Sequence, residues 1–244
     1  MRNIGLLIIT GIRSSLRLKT VTIVYFGITL MIIAVLTTFL GIFLITPEMN
    51  EASPDKAKLE LYLGLIMYSA CIIGLGINLN SFGFTTMIRE KSRGNIQSLL
   101  ATPLKVKDIW IGNSLALFIP GLILGELLTF IVLFVVNYIY FVPTIGFLFN
   151  PWIAVSSFLI VPVIYFCLGL LVYLIGLTGK PQNANVIAQI FLPILLSGMI
   201  NLMLRLNVTL WLFAMANIGI AAIIAIIVIF LQFRLSKERI VLSY

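Results

Sequence analysis

The chain has 244 residues, of which 61% are hydrophobic and 10% charged, with a mean hydropathy of +1.17. Too few polar residues remain to cover the outside of a water-soluble fold, so one membrane domain is expected. The net charge of +8 requires no nucleic-acid partner, because Lys and Arg gather in the inner loops of membrane proteins. The absence of histidine excludes imidazole acid–base catalysis and His-ligated metal sites, and Cys71 and Cys167 lie inside apolar runs as small hydrophobes; no enzyme activity is expected of this chain.

At the N-terminus Ile4, Leu7, Ile8, Gly11, Ile12, Ser15 and Leu16 recur at helical spacing, with Arg13 and Arg17 on the other side. The pattern predicts an amphipathic helix over 1–19 lying on the membrane surface, rather than an extension of the first span, which Arg13, Arg17 and Lys19 would interrupt. No small-residue cleavage site closes the apolar run that follows, so the first span is expected to be uncleaved. A helix needs about 20 apolar residues to cross the hydrocarbon core. Stretches that meet this length, nearly free of charge, are 20–47, 61–88, 109–137, 152–177, 181–204 and 206–233. The third holds one acid, Glu126, and the segment from Pro143 to Pro151, with Gly146 and Asn150, separates the third from the fourth. Six spans are therefore predicted, and the fold class is an all-α integral membrane domain over 1–244.

Orientation follows from the cations. Arg2, Arg13, Arg17 and Lys19 precede span one, and Arg89, Lys91, Arg93, Lys105 and Lys107 lie between spans two and three. Lys180 follows span four, and Arg234, Lys237 and Arg239 follow span six. All fall on one side of a six-span layout, opposite only Lys56, Lys58 and Arg205, so the positive-inside rule puts both termini in the cytoplasm. The outer connector from Pro47 to Glu60 is too short for a domain.

The most polar stretch is 89–108. It predicts a break at Gly94, a short helix from about Asn95, whose side chain can cap it, and a stop at Thr102 before Pro103. Ile96, Leu99, Leu100 and Leu104 form an apolar stripe on this cytoplasmic helix. Two readings of the stripe stay open: it meets a partner protein, or it folds back on the chain's own helices or the lipid surface.

The run Arg89-Glu90-Lys91-Ser92-Arg93-Gly94, then Leu99-Leu100-Ala101-Thr102-Pro103, then Ile109 to Gly112, resembles the signature of the type-2 ABC exporter permeases. The resemblance implies that Arg89, Glu90, Lys91, Arg93, Gly94, Ile96, Leu99, Leu100 and Pro103 form a coupling helix that docks on a nucleotide-binding subunit. Lys105, Asp108 and Asn113 depart from the family pattern, which has Ser or Thr, Glu and Lys there. This chain has no Gly-x-x-x-x-Gly-Lys-Ser/Thr phosphate loop, so ATP and Mg would be held by a separate ATPase subunit and no cofactor by this chain. Because such permeases use two membrane domains, the resemblance also implies a homodimer or a pair of similar chains, in the inner membrane of a prokaryote.

Glu126 lies near the middle of span three, where an ionisable group costs at least about 2.5 kcal/mol unless sheltered. It either lines a substrate pathway or holds packing beside Pro120, Gly121 and Gly125. Asn78 and Gln189 are further pathway candidates; Asn80, Asn137, Asn201 and Asn217, like them, also suit interhelical hydrogen bonding. Pro193 and Gly198 predict a kinked or partly re-entrant segment in span five. The expected function is therefore the membrane subunit of an ATP-driven exporter of a drug, antibiotic or lipid-like amphiphile. The alternative is a membrane scaffold or regulatory subunit that recruits an ATPase without transporting. A secondary transporter would need more intramembrane carboxylates and an internal repeat.

Overall fold

A computed structural model of the chain describes residues 2–16, 19–51, 53–79, 91, 94–179, 181–205, 208–233 and 235–242, and all regular structure among them is helical. The helices are α1 (Arg2–Leu16), α2 (Lys19–Leu40), α3 (Lys56–Asn78), α4 (Asn95–Leu100), α5 (Val106–Val136), α6 (Pro151–Thr178), α7 (Pro181–Arg205), α8 (Leu210–Gln232) and α9 (Lys237–Leu242). Among the described residues, π-turns interrupt or extend them. Gly41–Ile45 continues α2 into a last turn at Thr46–Met49, Asn137–Phe141 ends α5, and Ser156–Ile160 lies within α6.

Among the described residues five helical segments are long and apolar enough to cross a membrane: Ile23–Met49, Lys56–Ile77, Val106–Phe141, Pro151–Thr178 and Leu210–Gln232. The remaining predicted span forms α7, in which Gln189–Leu204 is a shorter apolar stretch. Helix α7 is continuous through Pro193, where a kinked or partly re-entrant segment is expected. The end of the second predicted span, 80–88, and Asn80 with it, lies outside the described residues. The third segment, 36 residues and about 54 Å long, exceeds the roughly 30 Å of a hydrocarbon core. It is long enough for its charged start at Lys107 and Asp108 to stand clear of the apolar layer.

Helix starts are set locally. At α3, Asp55 adopts an extended conformation and its carboxylate accepts from Ala57 N at 2.9 Å. At α6, Asn150 does the same for Trp152 N at 2.9 Å, with Pro151 in the first turn where its missing N–H is not needed. The two starts lie together, because the Asn150 amide donates to Glu60 Oε2 at 2.7 Å. The turn between α5 and α6 is closed by Asn137, which accepts from Leu148 N at 2.7 Å and donates to Leu133 O at 2.9 Å. Asn137 thus serves packing, one of the two roles its sequence position allowed.

Helices α3 and α6 occupy the centre. Helix α5 packs on α3, α1 and α6, helix α2 on α3, and α7 and α8 on α6. The α3–α5 crossing is a backbone contact: a Cβ at Gly74 would lie 2.9 Å from Gly125 Cα, and one at Gly125 would lie 2.9 Å from Leu75 Cγ. Ala70, Gly74, Gly121, Gly125 and Thr129, each four residues apart on its helix, supply the small faces that permit it. Helix α1 approaches α5 as closely, with a Cβ at Gly11 2.7 Å from Ala116 Cβ.

Candidate functional site

The polar segment between α3 and α5 builds one end of the bundle. Gly94 carries φ +71° and ψ 8°, a left-handed conformation that a side chain would strain, and it stands at the cap position of α4 with no side-chain capping bond. The helix begins at Asn95, as expected, and the side chain of Asn95, expected to cap it, lies outside the described residues. Ser98 N donates to Gly94 O at 3.1 Å, and the helix ends with Thr102 Oγ1 donating to Leu99 O at 2.6 Å, one residue before Pro103.

The apolar stripe of α4 is turned into the chain. Ile96 is fully buried and Leu100 is buried, Leu99 and Leu104 are half-buried, and all four belong to or pack on one cluster with Leu177, Ala184 and Ile240. Of the two readings of the stripe, internal packing describes Ile96 and Leu100. The outward surface of α4 and its exit is Gln97, Ser98, Ala101, Pro103, Lys105 and Lys107, all exposed.

Lys91 points inward as well. Its ammonium donates to Gly179 O at 2.6 Å, Gly176 O at 3.2 Å and Leu177 O at 3.5 Å, the carbonyls at the C-terminus of α6. These carbonyls stand at the C-terminal end of α6, where the partial negative charge of the helix favours a cation. Burial acts in the other direction and holds the Lys91 ammonium below its ordinary pKa. At the far side of α4, Lys237 from α9 donates to Leu100 O at 3.2 Å. Arg89, Glu90 and Arg93 lie outside the described residues.

Of the three pathway candidates, Glu126 and Gln189 have described side chains. Glu126 is half-buried on α5 directly after Gly125 at the α3–α5 crossing, and among the described residues no hydrogen bond or ion pair reaches it. Gln189 is exposed on α7, a helix that packs mainly on α6, α3 and α8 rather than α5. Asn78 is the last residue of α3, and its side chain lies outside the described residues.

The polar contacts between the long helices come mostly from residues that sequence reasoning did not single out. Tyr68 donates to Asn217 Oδ1 at 2.6 Å, joining α3 to α8, and its ring meets Phe213 edge-on at 4.9 Å. Tyr165 donates to Ile72 O at 2.8 Å, and Cys71 donates to Ser157 O at 3.1 Å. Asn113, noted only as a departure from a family pattern, donates to Tyr173 Oη at 2.6 Å, and Trp110 Nε1 donates to Leu170 O at 2.9 Å. The usable signal was residue type: a buried Tyr or Trp in an apolar run needs a partner for its polar tip. Among the described residues no group of three or more Cys, Asp or Glu is placed to hold a metal ion.

No protein-family model, no curated protein and no solved structure matches this chain.

Proposed function

We propose that this chain is the membrane subunit of an ATP-driven exporter, with six spans, both termini in the cytoplasm, and α4 as the element that docks on a separate ATPase subunit. The observation that carries the reading is the segment from Arg89 to Pro103, whose order of charged residues, glycine, leucine pair and proline resembles the type-2 ABC exporter permeases. The geometry of α4 is compatible with it. A helix whose apolar side is bound into the chain's own bundle can transmit displacement to α5 and α6, and it leaves Gln97, Ser98 and Ala101 free to meet another protein. The amphiphilic substrate, the second membrane copy and the inner-membrane location belong to the same proposal. In a prokaryotic inner membrane, ATP and Mg act on the partner and reach this chain as motion.

The burial of Ile96 and Leu100 decides how the proposal is tested. Charges placed there would disrupt the chain itself, whereas Ala101→Glu and Gln97→Glu change only the outward face. In membranes that also contain the ATPase, these two variants are expected to insert normally but to reduce recovery of the ATPase with the permease by about tenfold, the size of an interface hot spot. Unchanged recovery and unchanged substrate-stimulated ATP hydrolysis would remove α4 as the docking element. Loss of docking with no transport activity in the parent complex would favour the scaffold alternative.

A further inference from the structure

We infer that helix α9 is a positioning element for α4: Lys237 and the buried Ile240 tie α4 to the end of α6, so that α9 sets where the outward face of α4 is presented.

Three observations meet here. First, Lys237 Nζ donates to Leu100 O at 3.2 Å, and Leu100 ends α4. A helix of six residues has most of its carbonyls without helical partners, so a cation at its last turn both satisfies one and complements its partial charge. Second, Ile240, one turn after Lys237, is 1% exposed and belongs to the main buried cluster of the bundle, which also holds Ile96, Leu100 and Leu177, so α9 is anchored on the bundle. Third, α9 packs on α6, whose own last carbonyls are held by Lys91 from the segment just before α4. The two ends of the polar segment are thus fixed by two lysines, Lys91 reaching from the segment to α6 and Lys237 reaching from α9 to the segment. Helix α9 follows α8 in the chain, so a displacement of α8 can reach α4 through the Lys237 bond.

That α9 holds α4 stands on this geometry alone; its consequence for a docked ATPase rests on the exporter reading above. The test therefore needs no ATPase. Ile96→Cys places a thiol at a fully buried position of α4, while the native Cys71 and Cys167 are buried in the long helices and report on the whole bundle. In the purified full chain, a charged maleimide is expected to label position 96 slowly. Lys237→Met, and separately Ile240→Ala, are expected to accelerate that labelling about tenfold or more, as when a charge-assisted hydrogen bond or buried contact is removed from a closed local state. Lys237→Arg, which keeps a charged donor, should restore labelling to within about twofold of the parent. Throughout, Cys71 should remain unlabelled. Rapid labelling of position 96 in the parent, equal rates in parent and Lys237→Met, or simultaneous exposure of Cys71 would each overturn the inference. If the labelling results hold while Ala101→Glu leaves ATPase recovery unchanged, the positioning role stands and the docking reading falls.

Discussion

Helices α2 and α3 lie side by side and differ in an instructive way. The most apolar 18 residues of the α2 segment have a mean hydropathy of 2.7, yet 28% of them are buried, whereas the corresponding part of α3 has a mean hydropathy of 1.7 and is 72% buried. In water the order would be reversed, since apolar surface would be driven inward. Where the surroundings are lipid, apolarity pulls no helix toward the centre. Close packing of small residues and interhelical hydrogen bonds decide instead. Helix α3 carries Gly64, Ala70, Cys71 and Gly74 together with Tyr68, and nearly every residue from Leu63 to Ile72 is buried. Among its described side chains the α2 segment buries Thr29, Ile33, Thr37, Gly41 and Ile45, a stripe one residue wide at every fourth position that Glu48 continues, and turns Met31, Val35 and Phe39 outward.

If small residues place α3, the largest effect should come from filling the glycine crossing. Gly74→Val puts a branched side chain where even a Cβ would meet Gly125 Cα at 2.9 Å, and backbone cannot step aside as a flexible side chain can. Overpacking of this kind costs about 1–3 kcal/mol or more. Thermal unfolding in detergent should show a clear fall in Tm, with Gly219→Val on α8, where nothing lies within 4 Å of the added atom, as the neutral control. Equal Tm values for the two variants would mean that α3 and α5 do not cross at these glycines.

The next effect should come from the hydrogen bond that ties α3 to α8. Tyr68→Phe keeps the ring against Phe213 and removes only the donor to Asn217, and Asn217→Ala removes the acceptor. Bonds between membrane helices couple by about 0.6 kcal/mol, up to about 1.7. A double-mutant cycle on Tyr68 and Asn217 should return a coupling in that range. A coupling indistinguishable from zero would leave the helix placement to packing alone.

These contacts also show what could be read before the structure. The long helices were legible because their lengths are set by apolar runs, and the α5–α6 break because Pro143, Asn150 and Pro151 allow little else. That α4 stops short of Pro103 followed from the proline, although it ends at Leu100, two residues before the expected Thr102, and the break at Gly94 followed from its residue type. The polar start of α7 was in plain view at Gln182, Asn183 and Asn185 but was submerged by counting charges alone. What could not be read is pairing. Nothing local to Lys91 reveals that it reaches the end of α6 some 85 residues later, nor to Lys237 that it reaches Leu100 across 137 residues. The inward turn of Ile96 and Leu100 likewise depends on a core assembled from several distant helices. Glu126 was visible as a lone acid, and its place at the Gly74–Gly125 crossing comes from the pairing of two helices rather than from its neighbours in sequence.

The smallest effect is expected on the outward side of α2, where the comparison is most exposed to refutation. Met31, Val35 and Phe39 are each more than half exposed, and replacing all three by leucine exchanges one apolar surface for another. Each substitution should change stability by no more than about 0.5 kcal/mol, as at sites away from packed or bonded features. Thr37→Val, on the buried stripe, removes a hydroxyl that has no hydrogen-bond partner among the described residues and should be neutral or slightly stabilising. Unfolding of the triple variant beside Gly74→Val gives the discriminating ratio. A loss as large as that at the glycine crossing would show that this side of α2 is packed against protein. Apolarity would then be marking an interface with a second chain, and α2 would be buried in the assembly for the same reason that α3 is buried in the single chain.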